Sequence, residues 1–151
     1  RRYASLGDFW VEIPKLNVKM PIVGVTLNEW GWNITWLADQ AGWLEGTAYP
    51  TWNGNSVLTA HAVNADGKPG LFARLSKVRT GDYIFLYQSG YRYTYQIVSN
   101  KFVKSDDITV LKHEEKAYIT LITCDDYDEK TGVYLRRNVV RAVLIDVSAL
   151  K

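Results

Sequence analysis

Hydrophobic and polar positions alternate along much of this chain with the period of two that belongs to half-buried strands. Tyr91, Tyr93 and Tyr95 alternate with Arg92, Thr94 and Gln96. Together with residues 83–87 across Gln88-Ser89-Gly90, they predict a β-hairpin closed by a glycine-bearing three-residue loop. Short apolar runs predict further strands over 18–25, 56–61, 118–124 and 139–147. Pro21 lacks an amide hydrogen, which makes its strand an edge or a strand start. The turn Asn53-Gly54-Asn55 leads into the strand at 56–61, and the acidic stretch 125–132 is expected to be an exposed loop. Helical signals are confined to 36–41, 71–75 and 106–111, one or two turns each, the last capped by Ser105 or Asp106. Many short strands between Gly-, Asn- and Asp-bearing turns predict an all-β barrel or sandwich. There is no internal repeat, low-complexity tract or linker, so residues 1–151 are expected to form a single domain.

Composition narrows the function classes. Apolar residues make up 47%, which excludes a disordered chain. The net charge of +2 arises from 18 basic and 16 acidic side chains without a basic stripe, which speaks against nucleic acid as a partner. No apolar run approaches the ~18 residues of a membrane span, and no signal-peptide core is visible. A chain opening at Arg1 is expected of a trimmed or mature ectodomain. Five tryptophans, Trp30, Trp32, Trp36, Trp43 and Trp52, crowd one stretch. They suit either an aromatic wall for peptide or glycan or, the favoured reading, large side chains that bolt a weakly regular segment onto the sheet. The cluster Asp125, Asp126, Asp128 and Glu129 lacks the ligand spacing and glycine of a calcium hand and reads as solvated. His113, in a charged stretch, reads the same way. No metal centre, phosphate loop or organic cofactor is indicated.

Three residues could carry chemistry. His61 ends the predicted strand 56–61, Cys124 ends another, and Arg137 opens a third. The single cysteine forbids an internal disulfide, and by composition alone it would be buried packing. A thiolate, however, is a strong nucleophile. An imidazole can stabilise it and then protonate a departing amine, and a permanently charged guanidinium can bind an oxyanion or substrate backbone. In an extended strand Thr120, Ile122 and Cys124 share one face while Leu121 and Thr123 take the other. Arg136 and Arg137 likewise point oppositely, so at most one faces a cleft, and periodicity does not say which.

The run Thr120-Leu-Ile-Thr-Cys124 resembles the Thr-Leu-x-Thr-Cys motif of the sortases, a family of cysteine transpeptidases. The continuation CDDYDEKTGVYLRR is similar to class A members, whose active-site arginine follows the cysteine by the interval that separates Cys124 from Arg137; this selects Arg137 over Arg136. GTAYPTWNGNSVLTAH resembles the segment leading to the family's histidine, with Ala60 where Gly is usual, and IPKLNVKMPIV resembles its first strands. The resemblance implies a closed eight-stranded barrel with short helices in the connections, and Cys124, His61 and Arg137 as catalytic residues. It implies cleavage of a Leu-Pro-x-Thr-Gly-like sorting signal between Thr and Gly through a Cys124 thioester. An amine, from a cell-wall precursor or a protein, would then take the acyl group. Thr123 would hydrogen-bond the substrate, or simply pack; Ile122 would line the pocket for the signal's leucine, or belong to the core. The implied partners are sorting-signal-bearing surface proteins and an amine acceptor. The implied setting is the cell envelope, with an N-terminal membrane anchor absent from this chain.

Departures from the family patterns leave the subclass open. Gly46, Tyr49 and Asn53 stand where calcium-stimulated enzymes carry acids, Asp8-Phe9-Trp10 lacks the proline of a pilin-polymerase plug, and HAVNADGKPGLFARL is atypical of class A. Two other functions fit parts of the pattern. A hydrolytic cysteine peptidase would resolve the thioester with water. A non-catalytic wall- or glycan-binding module would use the tryptophans and be indifferent to Cys124→Ala.

Overall fold

The computed structural model describes residues 3–29, 31–63, 67–128, 130 and 133–151; side chains 124–128 and 133–135 lie outside that description. Among the described residues ten strands follow in order. They are β1 (Ala4–Ile13), β2 (Val18–Val25), β3 (Leu27–Asn28), β4 (Gly31–Trp32) and β5 (Ala41–Leu44). After them come β6 (Gly54–Thr59), β7 (Tyr83–Gln88), β8 (Tyr91–Lys104), β9 (Ala117–Asp128) and β10 (Val133–Ala149). Eight of them close a barrel in the order β1-β2-β5-β6-β9-β10-β8-β7, while β3 and β4 form a separate ribbon. Pairings are antiparallel except β2 with β5 and β6 with β9. Closure removes the two edge strands that an open sheet would have.

The predicted period of two sorts residues to the two faces of the wall. Phe9, Val11 and Ile13 of β1, Ile84 and Leu86 of β7, Ile119 and Leu121 of β9, and Val140 and Ala142 of β10 fill the interior. The other parity of β6, β9 and β10 builds a second apolar cluster outside the barrel, from Val57, Ile122 and Val139 with Val25, Leu37 and Leu44. That outer cluster is covered by the 33–40 connection and by the 105–112 segment, and it is the floor of the site described below.

The structure sharpens or corrects the sequence reading at four places. Among the described residues there is no α-helix: the connections carry only 3-10 turns at Pro14–Leu16, Leu75–Lys77 and Thr109–Leu111. The expected turn at 36–41 fails because Ala38 adopts φ 53° and Ala41 already belongs to β5; so short a helix has too few internal hydrogen bonds to repay nucleation. The hairpin after β7 turns on Ser89 and Gly90 alone, both left-handed at φ 53° and 81°, the primed turn that matches strand twist. The stretch 125–132 is not loop throughout. The β9–β10 ladder runs out to Val133↔Asp128, so the acidic, turn-rich composition there does not end the strand. Pro21 lies within β2, where the register with β1 is broken between Ser5 and Trp10 and pairing with β5 begins only at Ile22.

Asn55 ties the outer cover to the wall. Its side chain, only 3% exposed, donates to the carbonyls of Val110 and Lys112 at 2.8 and 3.0 Å and accepts from the Thr120 hydroxyl. Asn55→Ala would strand a buried hydroxyl and two carbonyls, at an expected cost of about 1–3 kcal/mol. Urea unfolding of the pair would measure it.

Candidate active site

Strand pairing brings the three chemical candidates to one end of the outer face. In the β9–β10 ladder Arg137 sits directly opposite Cys124, and Val139 opposite Ile122. Residues opposite one another in such a ladder point to the same face, so the register alone puts the Arg137 side chain on the face of Ile122. In the parallel β6–β9 pair Thr59 stands beside Ile122. The chain leaves β6 there, and His61 follows two residues later, at the level of Cys124 were the register continued. Two bonds hold this junction: Thr59 donates to the Ile122 carbonyl at 2.9 Å, and Thr123 donates to the Ala60 carbonyl at 3.2 Å. The Cys124 side chain lies outside the described residues; its backbone position is fixed by the ladder.

A cleft of about 230 Å³ opens over this floor. Ile122 and Leu44 form its base, Trp32 and Ile34 one wall, and Ile108, Val110 and Leu111 the other. Polar groups gather at the mouth, where Ser105, Asp107 and Arg137 meet. Arg137 is half-buried, and its Nε donates to the Ser105 carbonyl at 3.0 Å, which fixes the guanidinium at the rim. Arg136 takes the other parity and lies over the Phe102 ring, 3.9 Å from its centroid. The Asp107 carboxyl is held below the usual carboxylate range by the hydroxyl and then the amide of Thr109, at 2.5 and 2.9 Å. This bracing stiffens the 107–109 turn at the cleft mouth.

His61 is half-buried, and its Nε2 lies 2.9 Å from the carbonyl of Ile34. Its backbone is gripped from the other side by the 69–72 segment. The Gly70 amide donates to the Ala62 carbonyl at 2.8 Å and the Phe72 amide to that of His61 at 3.2 Å. A Cβ at Gly70 would fall 2.2 Å from the His61 carbonyl oxygen, so only glycine permits this approach. Within the stretch HAVNADGKPGLFARL, atypical as a motif, residues 69–72 therefore act as a bracket for the histidine. Gly70→Ala is expected to cost about 1–3 kcal/mol by overpacking against backbone. By displacing His61 it should also lower kcat/KM roughly tenfold; thermal melts and initial rates on the same preparation would read both.

Of the sequence-selected residues, Arg137 and Ile122 line the cleft together, and His61 stands at its edge beside Ile34. Thr123 does not join them. It is 4% exposed, takes the parity of Leu121, and spends its hydroxyl on Ala60. The tryptophans divide: Trp32 lines the cleft and donates to the Glu45 carbonyl at 2.8 Å. Trp43 bolts its loop through Thr47 and Ala48 at 3.0 and 2.9 Å. Trp36 and Trp52 are exposed, and Trp30 lies outside the described residues, as do the side chains of the acidic cluster 125–129. Among the described residues no group of three or more His, Cys, Asp or Glu could hold a metal ion. Gly70, Ser105 and the Ile34 carbonyl escaped sequence reasoning; the only signal was the Pro69-Gly70 pair, whose purpose depends on a contact made in space.

The comparisons with known proteins agree with this geometry. A family model described as "Sortase domain" matches residues 11–145. Sortase D of Bacillus subtilis is 34% identical over 116 residues, covering 76% of this chain and 52% of its own. Sortase A of Listeria monocytogenes superposes with a TM-score of 0.78 over 97% of this chain and 92% of its own; at 24% identity it speaks to the fold alone. Sortase C1 of Streptococcus agalactiae superposes with a TM-score of 0.75 at 31% identity, over 91% of this chain and 66% of its own. The chain spans about half the length of the Bacillus relative.

Proposed function

The chain belongs to the sortase family, and on that premise we propose that it is a cysteine transpeptidase that cuts a sorting signal and joins it to an amine. The observation that carries this reading is the convergence of Arg137 and Ile122 on one apolar cleft, beside the backbone position of Cys124, with His61 at the exit of the adjoining strand. An apolar cleft with a few polar groups at its mouth suits an extended peptide with one large aliphatic side chain. The leucine of a Leu-Pro-x-Thr-Gly-like signal would enter between Ile122 and the 108–111 wall, and its Thr carbonyl would reach the rim.

The Cys124 thiolate attacks that carbonyl, and the charge that develops on oxygen is met by the Arg137 guanidinium, held ready by Ser105. His61 gives a proton to the departing glycine amine as the C–N bond breaks, leaving a thioester on Cys124. An incoming amine attacks the thioester, the C–S bond breaks, and the amine's surplus proton returns to His61. Thr123, turned away from the cleft, supports the turn that carries His61 rather than the substrate.

The reading extends to setting and partners. Residues 1–151 act as one catalytic unit at the cell envelope, on surface proteins bearing the signal, with a cell-wall precursor or protein amine as acceptor. Among the described residues no helix is long and apolar enough to cross a membrane. Incubation with a Leu-Pro-x-Thr-Gly peptide library, with and without triglycine, tests the reaction by mass spectrometry. Cleavage after Thr with amine-dependent ligation supports it. Cleavage whose rate and product ignore the amine favours a hydrolytic peptidase.

A further inference from the structure

We propose that Tyr3, at the entry to β1, is a positioning residue for the reaction: it clamps the 33–36 turn whose Ile34 carbonyl holds His61 as the Nε2–H tautomer, so that proton transfer runs through Nδ1. The inference rests on the transpeptidase reading of His61, but the geometry behind it is independent of any substrate.

The Tyr3 hydroxyl makes two bonds to one turn. It donates to the Asn33 carbonyl at 2.9 Å and accepts from the Trp36 amide at 3.0 Å. The turn is braced internally as well. The Asn33 side chain accepts from the Thr35 amide at 3.0 Å, and the Leu37 amide donates to the Ile34 carbonyl at 3.3 Å. Leu37 is fully buried in the outer cluster and anchors the end of the turn. The carbonyl of Ile34 is thereby aimed, and the imidazole of His61 meets it at 2.9 Å through Nε2.

A carbonyl oxygen can only accept, so the nitrogen facing it must carry the hydrogen. A neutral His61 held this way has its lone pair on Nδ1, for which no hydrogen-bond partner exists among the described residues. Nδ1 is then the nitrogen that can hand a proton to the departing amine as the C–N bond breaks. It is also the one that regains it from the incoming amine as the thioester C–S bond opens. Nε2 keeps its hydrogen throughout, as the orienting bond of a histidine base usually does. Tyr3 touches neither substrate nor imidazole; it acts by holding the turn.

The test uses the whole chain with ¹⁵N-labelled histidine. The only histidines are His61 and His113, and His113→Gln identifies the His61 signals. At a pH where the ring is neutral, the native protein should show a pyrrole-type Nε2 and a pyridine-type Nδ1. Tyr3→Phe removes both hydrogen bonds and little else. It should move the two nitrogen signals toward averaged values and lower kcat roughly tenfold, with KM nearly unchanged and the melting cooperative. An Nδ1–H tautomer, or averaged nitrogens in the native protein, would overturn the proposal. So would a Tyr3→Phe variant whose nitrogen signals match the native ones, whether or not its rate falls. Failure of every peptide to react would instead count against the transpeptidase reading, because the tautomer is read without substrate.

Discussion

Cys124→Ala is expected to leave a folded protein that forms neither acyl-enzyme nor ligated product, a loss on the order of 10⁵-fold in turnover. The fold should survive because β9 is held by neighbours on both sides. It pairs with β6 on one side and β10 on the other, and Ile119 and Leu121 anchor it in the interior. The chemistry should not survive. No other cysteine exists in the chain, and a methyl group offers no nucleophile for a thioester. Peptide turnover by mass spectrometry, with circular dichroism of the same sample, checks both halves. A non-catalytic binding module would be indifferent to the change, so retained function in Cys124→Ala would favour that alternative.

Arg137→Lys is the second large effect, and it separates charge from shape. Lysine keeps the positive charge but loses the planar fork that would let Nε keep the Ser105 carbonyl while another nitrogen meets an oxyanion. An ammonium would have to choose between the two. Removing one well-placed oxyanion donor costs about 10²–10³-fold in kcat, and the expected loss in kcat/KM for Arg137→Lys is of that order, with little change in melting temperature. Arg136→Lys is the control. Its parent side chain stacks on Phe102 on the opposite parity, so the variant should give up roughly 1 kcal/mol of stability through that contact and stay within a few-fold of the native rate. Equal losses in the two variants would show that the ladder register does not govern which arginine serves the site.

What could be read from the sequence was what period and local chemistry determine. The alternation in 91–98, the apolar run at 118–124 and the short strand before His61 all became barrel strands, because a half-buried wall imposes the same period on all of them. The same alternation placed Ile122 and Leu121 on opposite faces. It could not decide between Arg136 and Arg137, since that depends on which residue of β10 lies opposite Cys124. The resemblance chose Arg137, and the ladder puts Arg137 in that position. The strand β1 and the outer halves of β9 and β10 were harder to see. Polar residues there look like loop until the partner strand that satisfies their backbone is known. Of the three short helical segments, 71–75 and 106–111 meet the 3-10 turns Leu75–Lys77 and Thr109–Leu111, while 36–41 holds none, because propensity carries little weight against packing in so short a run. The bracket at Gly70 left only the Pro69-Gly70 pair as a signal, and the Ser105 and Ile34 carbonyls left none, because two of the three act through backbone atoms and the other through the absence of a side chain.

The most direct test of the central claim is the intact mass of the protein after brief exposure to a Leu-Pro-x-Thr-Gly peptide without added amine. A species heavier by the acyl fragment ending in Thr is expected, carried on Cys124 and discharged when triglycine is added. Cleaved peptide with no adduct at Cys124, or an adduct that triglycine does not discharge, would contradict it.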